Sequence, residues 1–229
     1  YLSSAPIANV KTTGPGLDTQ IVGRTAELEQ LREGLANAMN GDPITVFVSG
    51  QSGVGKTTLV NHFIAQAKKD HSAVVLCGRC YERESVPYKA LDAVVDALST
   101  YLRGLDDISV ERLMPRWAHA LGHLFPVLGR VEAVAQAPPS AMPIRDQQEL
   151  RNRAFAALRE LLARLADRPP LLIVIDDLQW GDHDSATLLR DLLHPPAPAM
   201  LLLACFRDQD IKNSPLLDFV EHKSNQSRH

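Results

Sequence analysis

The chain has 229 residues, 45% of them hydrophobic, and sets 24 Lys and Arg against 27 Asp and Glu for a formal net charge of −3. That size and composition permit a sizeable buried core in one large α/β domain or two small ones. The acidic balance, with no concentrated basic stretch, argues against a duplex-binding face, and no apolar run approaches the ~20 residues that cross a bilayer.

Residues 1–19, with Pro6, Gly14, Pro15 and Gly16 among small polar residues, read as a linker without apolar periodicity. The chain opens on Tyr1 rather than Met, with no basic or apolar leader pattern, which reads as a cut from a longer protein. A domain is expected over 20–217. Its first helix is predicted after Ile21-Val22-Gly23-Arg24, with Thr25 as cap and Leu28, Leu31 and Leu35 as the buried stripe. Ile44 to Ser49 is a β-branched and aromatic run that predicts a strand, and Leu59, Val60, Phe63, Ile64 and Ala67 repeat behind it at helical spacing. A second strand is predicted over 73–79.

The stretch 82–166 reads as a helical insertion. Tyr88, Leu91, Val95, Leu98 and Leu102 predict one helix, and Leu113, Trp117, Leu121 and Leu124 predict another. Pro138, Pro139 and Pro143 interrupt the pattern over 134–143, and a third helix is predicted from about Ile144 to Ala166. Its polar face carries Arg145, Arg151, Arg153, Arg159 and Arg164 with acids interspersed, as a solvated face rather than a nucleic-acid stripe. Leu171 to Ile175, apolar throughout, predicts a parallel strand buried on both faces, and Met200 to Phe206 predicts another. Glu221 to His229 is polar and aperiodic, and 218–229 reads as a frayed or truncated tail.

Between the first strand and its helix lies Gly50-Gln51-Ser52-Gly53-Val54-Gly55-Lys56-Thr57-Thr58, a complete G-x-x-x-x-G-K-[ST] phosphate loop in its required strand-to-helix setting. The glycines let successive N–H groups converge on phosphate, Lys56 reaches the β- and γ-phosphates, and Thr57 offers a hydroxyl to Mg²⁺. The third strand ends in Asp176-Asp177, a Walker B pattern. Asp176 is assigned to the hydrated metal and Asp177 to orienting the attacking water. Arg207, at the end of the fourth strand, is a cation placed to face phosphate. Three cysteines form no even disulfide framework, and a protein using ATP and Mg²⁺ is expected in the cytoplasm with reduced thiols. Cys77 and Cys80 spell C-x-x-C without a second pair to complete a zinc site, and His119 and His123 read as two helix histidines. Trp180 reads as a packing residue beside the Asp176-Asp177 turn.

Asp176-Asp177-Leu178-Gln179-Trp180-Gly181-Asp182, with Ile21-Val22-Gly23-Arg24 and Leu201 to Arg207, resembles the AAA+-like STAND ATPases of bacterial multidomain regulators. The segment Gly78 to Tyr88 is similar to ATPase modules attached to serine/threonine kinases, nucleotide cyclases and helix-turn-helix regulators. The resemblance implies a three-layer α/β fold with a parallel sheet of order 1-4-3-2, lacking the fifth strand such ATPases add. It further implies that Val22 and Gly23 line the adenine, that Arg24 helps seat the nucleotide, and that Arg207 senses the γ-phosphate. The shorter Asp177, where many AAA+ proteins carry Glu, leads to an expectation of slow hydrolysis. Attached signalling domains are the expected partners, and self-association stays open. A small-molecule phosphotransferase would need an acceptor pocket with its own base, a GTPase an Asn-Lys-x-Asp element that the chain lacks, and an initiator-type ATPase a DNA-binding segment.

Overall fold

The computed structural model describes residues 23–83, 86–139 and 146–226. In chain order the elements are α1 (Thr25–Met39), β1 (Ile44–Ser49), α2 (Lys56–His71), β2 (Val74–Arg79), α3 (Lys89–Arg103), α4 (Asp107–Leu113), α5 (Ala118–Leu124), α6 (Glu132–Ala135), α7 (Gln147–Ala166), β3 (Leu171–Asp176), α8 (His183–Leu192), β4 (Met200–Phe206) and α9 (Leu217–Gln226). The strands form one parallel sheet in the expected order β1-β4-β3-β2.

The period of two along β3 and β4 builds a core on each face. Leu171, Ile173 and Ile175, with Met200, Leu202, Ala204 and Phe206, pack on the side of α3, α5, α7 and α8. Leu172, Val174, Leu201, Leu203 and Cys205 pack against Leu28, Leu31, Leu35, Leu59 and Phe63 of α1 and α2. Three layers result, and every strand delivers its carboxyl end to one edge. Close approach fixes one glycine: a Cβ on Gly78 in β2 would stand 2.6 Å from Val94 Cγ2 of α3, so a side chain there would push the helix off the sheet.

Several local expectations are corrected. Thr25 is the first residue of α1 rather than its cap; Arg24 holds the cap position with no side-chain cap bond. The pattern from Leu113 to Leu124 is two short helices, because Pro115 disfavours helical backbone at Met114, which is extended at φ −61° and ψ 125°. The third insertion helix begins at Gln147 behind the capping carboxylate of Asp146, whose Oδ1 accepts from the Glu149 N–H; residues 140–145 lie outside the described residues. The frayed tail expected from residue 218 is instead helical from Leu217 to Gln226 in α9, with Phe219 buried and its ring edge-on to Phe47 at 6.1 Å. Leu216, Phe219 and Val220 are too few to register as a period, so only the partner Phe47 reveals their role.

The arginine face of α7 is partnered as its interspersed acids predict. Arg153 pairs with Glu149 and Arg164 with Glu160 along the helix, while Arg151 and Arg159 reach Asp184 and Asp191 of α8. Arg145 lies outside the described residues.

One carboxylate joins the insertion to the sheet edge. Asp182 caps α8, accepting from the Ser185 N–H through Oδ1, and through Oδ2 it accepts from the Lys89 N–H at the start of α3. Ser185 Oγ accepts from the next α3 N–H, that of Ala90, at 3.0 Å. Two helix N-termini thus share one acid. Asp182→Ala is expected to lower stability by about 2 kcal/mol, two caps of ~1 kcal/mol each. Urea unfolding measures it, with Asp182→Asn retaining much of the stability.

Candidate nucleotide site

β1 ends at Ser49 and the chain turns through Gly50, Gly53 and Gly55, whose φ values of +142°, +84° and +82° are left-handed. At Gly53 and Gly55 a Cβ would meet nothing within 4 Å, so dihedral freedom rather than space demands glycine. Gln51, Ser52, Gly53, Val54 and Gly55 are exposed, Thr57 is half-buried and Thr58 is exposed. α2 starts at Lys56 behind Gly55, and no side chain caps it. The donors of its first turn and its positive dipole end therefore face the loop.

Lys56 is the exception to this exposure, at 2% of its accessible surface. Its Nζ donates to the Gly50 carbonyl at 2.7 Å and to the Gln51 carbonyl. Burial pulls the ammonium's pKa below the ordinary lysine value, and the Asp208 carboxylate opposes that shift more strongly than Asp176 does. Arg24 reaches the same loop: one guanidinium nitrogen donates to the Val54 carbonyl at 2.9 Å and another pairs with Glu27 at 2.8 Å. Gly23 is described, exposed and left-handed at φ +82°; Val22 lies outside the described residues.

Across the edge, β3 ends at Asp176, which is buried, and Asp177 follows it in a left-handed conformation at φ +51°. β2 and β3 pair so that Arg79 stands beside Asp176. The Arg79 guanidinium donates twice to Asp177 Oδ2, at 3.0 and 2.7 Å, and lies 3.9 Å from Asp176. Gln179 donates its amide to Asp177 Oδ1 at 2.9 Å, and its carbonyl accepts from the Arg207 backbone N–H at 3.2 Å. The Arg207 side chain lies between Asp177, at 3.6 Å, and Asp210, at 3.7 Å. Both Asp177 oxygens are thus engaged by Arg79 and Gln179. Trp180 packs partly buried against the core and borders a cleft of about 380 Å³ with Gln179, Asp182, His183 and Asp210.

The parallel sheet therefore brings together Lys56, Thr57, Asp176, Asp177 and Arg207 along one edge. Hard oxygen donors, a hydroxyl on α2 and a carboxylate at the end of β3, suit Mg²⁺, which takes one or two protein ligands and completes its shell with water and phosphate. Arg79 and Gln179 have no role in the sequence reading. Register places Arg79 there: β2 pairs with β3 from Val74 beside Leu171, which no local pattern specifies.

A four-stranded parallel sheet of order 1-4-3-2 with a phosphate loop after its first strand defines a P-loop nucleoside-triphosphatase fold. Residues 20–203 match the AAA ATPase domain family, and the chain belongs to it. It is also similar to hybrid signal transduction histidine kinase G of Dictyostelium discoideum, 25% identical over 185 residues that cover 78% of this chain and 5% of that protein. The chain thus corresponds to a small part of this signalling relative.

The remaining candidates do not join the site. His119 and His123 stand with ring centroids 4.5 Å apart on α5, and among the described residues no third ligand completes a metal cluster. Among the described residues no helix is long and apolar enough to cross a membrane. Burial raises the thiol pKa of Cys77, Cys80 and Cys205 alike, which lowers the thiolate fraction at any pH below the shifted value. Iodoacetamide at pH 8 should therefore label the folded protein slowly, half-buried Cys77 first, and label all three thiols rapidly in guanidinium. Rapid labelling of Cys80 in the folded protein would contradict this burial.

Proposed function

We propose that this domain binds ATP·Mg²⁺ and hydrolyses it slowly, serving as a nucleotide-dependent switch within a larger signalling protein of the STAND type. The observation that carries the reading is the pairing of an uncapped α2 N-terminus and buried Lys56 on one side with Asp176 on the other. Lys56 is held by the carbonyls of Gly50 and Gln51, and a triphosphate offers that ammonium stronger acceptors. Gly50 through Thr58 cradle the phosphates, Thr57 and Asp176 take the Mg²⁺ side, and Gly23 with Val22 contacts the adenine. Arg24 supports the loop through Val54, and Arg207 answers to the γ-phosphate.

Asp177 orients the attacking water in this reading, and its hydrogen bonds to Arg79 and Gln179 support a slow rate. A carboxylate with both oxygens engaged has no free oxygen to position a water until one partner lets go. Water attacks the γ-phosphorus, the bond to the β-phosphate oxygen breaks, and ADP leaves with the electron pair while the water's proton passes to solvent. Movement of Arg79 toward phosphate frees Asp177 Oδ2, which ties turnover to the arrangement of the site. Attached domains read that arrangement, in the cytoplasm where ATP and Mg²⁺ are plentiful; the similarity to a multidomain signalling kinase supports covalent partners of this kind.

Equilibrium binding of ATP·Mg²⁺ tests the assignment. Lys56→Ala should abolish measurable binding, and Asp177→Asn should keep the affinity while reducing kcat by about 10²-fold, the size of a lost positioning base. Unchanged affinity in the Lys56 variant would sink the site assignment. GTP competing as well as ATP would remove the adenine reading.

A further inference from the structure

Asp208 is the acid of this edge that neither the phosphate-loop signature nor the Asp176-Asp177 pair explains. β1 and β4 run parallel with Ser49 beside Phe206, so Asp208 lies as far past β4 as Gln51 lies past β1. It is exposed, in the turn one residue beyond Arg207, on the strand that neighbours the phosphate-loop strand. The charged groups around it divide unevenly. Arg79 is committed to Asp177, and Arg207 is shared by Asp177 and Asp210. Among the described residues Asp208 forms no ion pair of its own, and its field falls on Lys56. With Arg24 on the loop paired to Glu27, the edge thus sets five carboxylates, Glu27, Asp176, Asp177, Asp208 and Asp210, against four cations, Arg24, Lys56, Arg79 and Arg207.

On the reading that this site holds a nucleoside triphosphate, we propose that Asp208 makes binding depend on the metal, because its carboxylate repels a bare triphosphate and tolerates one whose charge Mg²⁺ has offset. Asp208 is then a specificity-determining residue rather than a metal ligand or a base. The physical basis is ordinary: a fixed charge beside the loop acts more strongly on the more highly charged ligand, and because the loop and Asp208 are both exposed the effect weakens as salt is added. Asp176 belongs to the end of β3 and is buried, whereas Asp208 meets solvent.

The test is equilibrium binding of ATP in EDTA and in excess Mg²⁺ to the whole chain and to Asp208→Asn, Asp208→Ser and Glu111→Gln. The last makes the same change in net charge on α4, outside this edge. Both Asp208 variants should bind metal-free ATP about tenfold more tightly than the parent, with affinity for ATP·Mg²⁺ changed less than about threefold, and Glu111→Gln should match the parent in both. An unchanged metal-free affinity in the Asp208 variants overturns the proposal. So does a loss of ATP·Mg²⁺ affinity alone, which would make Asp208 a holder of the metal. If the parent binds ATP in neither condition, the nucleotide reading itself fails rather than the role of Asp208.

Discussion

A buried ammonium must be solvated by something, and in this chain that demand organises the sheet edge. Lys56 sits at 2% exposure at the first turn of α2, where the helix dipole is unfavourable to a cation. Two loop carbonyls, Gly50 and Gln51, offset the penalty, and they can do so only because Gly50, Gly53 and Gly55 curl the loop back over the helix end. Burial still holds the lysine's pKa down. An anion seated on the loop would satisfy the same cation and the uncapped N–H groups together. The backbone of the loop thus favours an anion at this position.

The opposite side of the edge obeys the converse rule. Asp176 and Asp177 are buried carboxylates and need donors; Arg79 from the edge strand, Gln179 from the following turn and Arg207 just after β4 stand around them. Each donor comes from a different element, so the state of Asp177 depends on how β2, β3 and β4 sit relative to one another. Asp182, a few residues on, ties the same turn to the start of α3 and so to the helical insertion. The turn from Asp177 to Asp182 thus joins the phosphate edge to the insertion.

The phosphate loop and the strands flanking it were legible because they are local: a fixed glycine and lysine spacing, a β-branched run, a continuous apolar run in β3. The sheet order came through a family resemblance and agrees with the observed topology. What was illegible is long-range. Arg79 and Asp177 are 98 residues apart, Lys89 and Asp182 are 93 apart, and neither pair leaves a local pattern. The break at Pro115 could have been read from the proline alone, had the period from Leu113 to Leu124 not suggested continuity. α9 depends on Phe219 finding Phe47, a contact that no window of sequence contains.

Backbone hydrogen exchange on the chain, with and without ATP·Mg²⁺, measures the central claim directly. If the phosphates replace the loop's own carbonyls as partners of Lys56 and cap the first turn of α2, exchange should slow at the amides of residues 51–58, with a smaller effect in the turn at 177–179. Exchange unchanged across 51–58 at saturating ATP·Mg²⁺, or protection confined to another part of the fold, would contradict it.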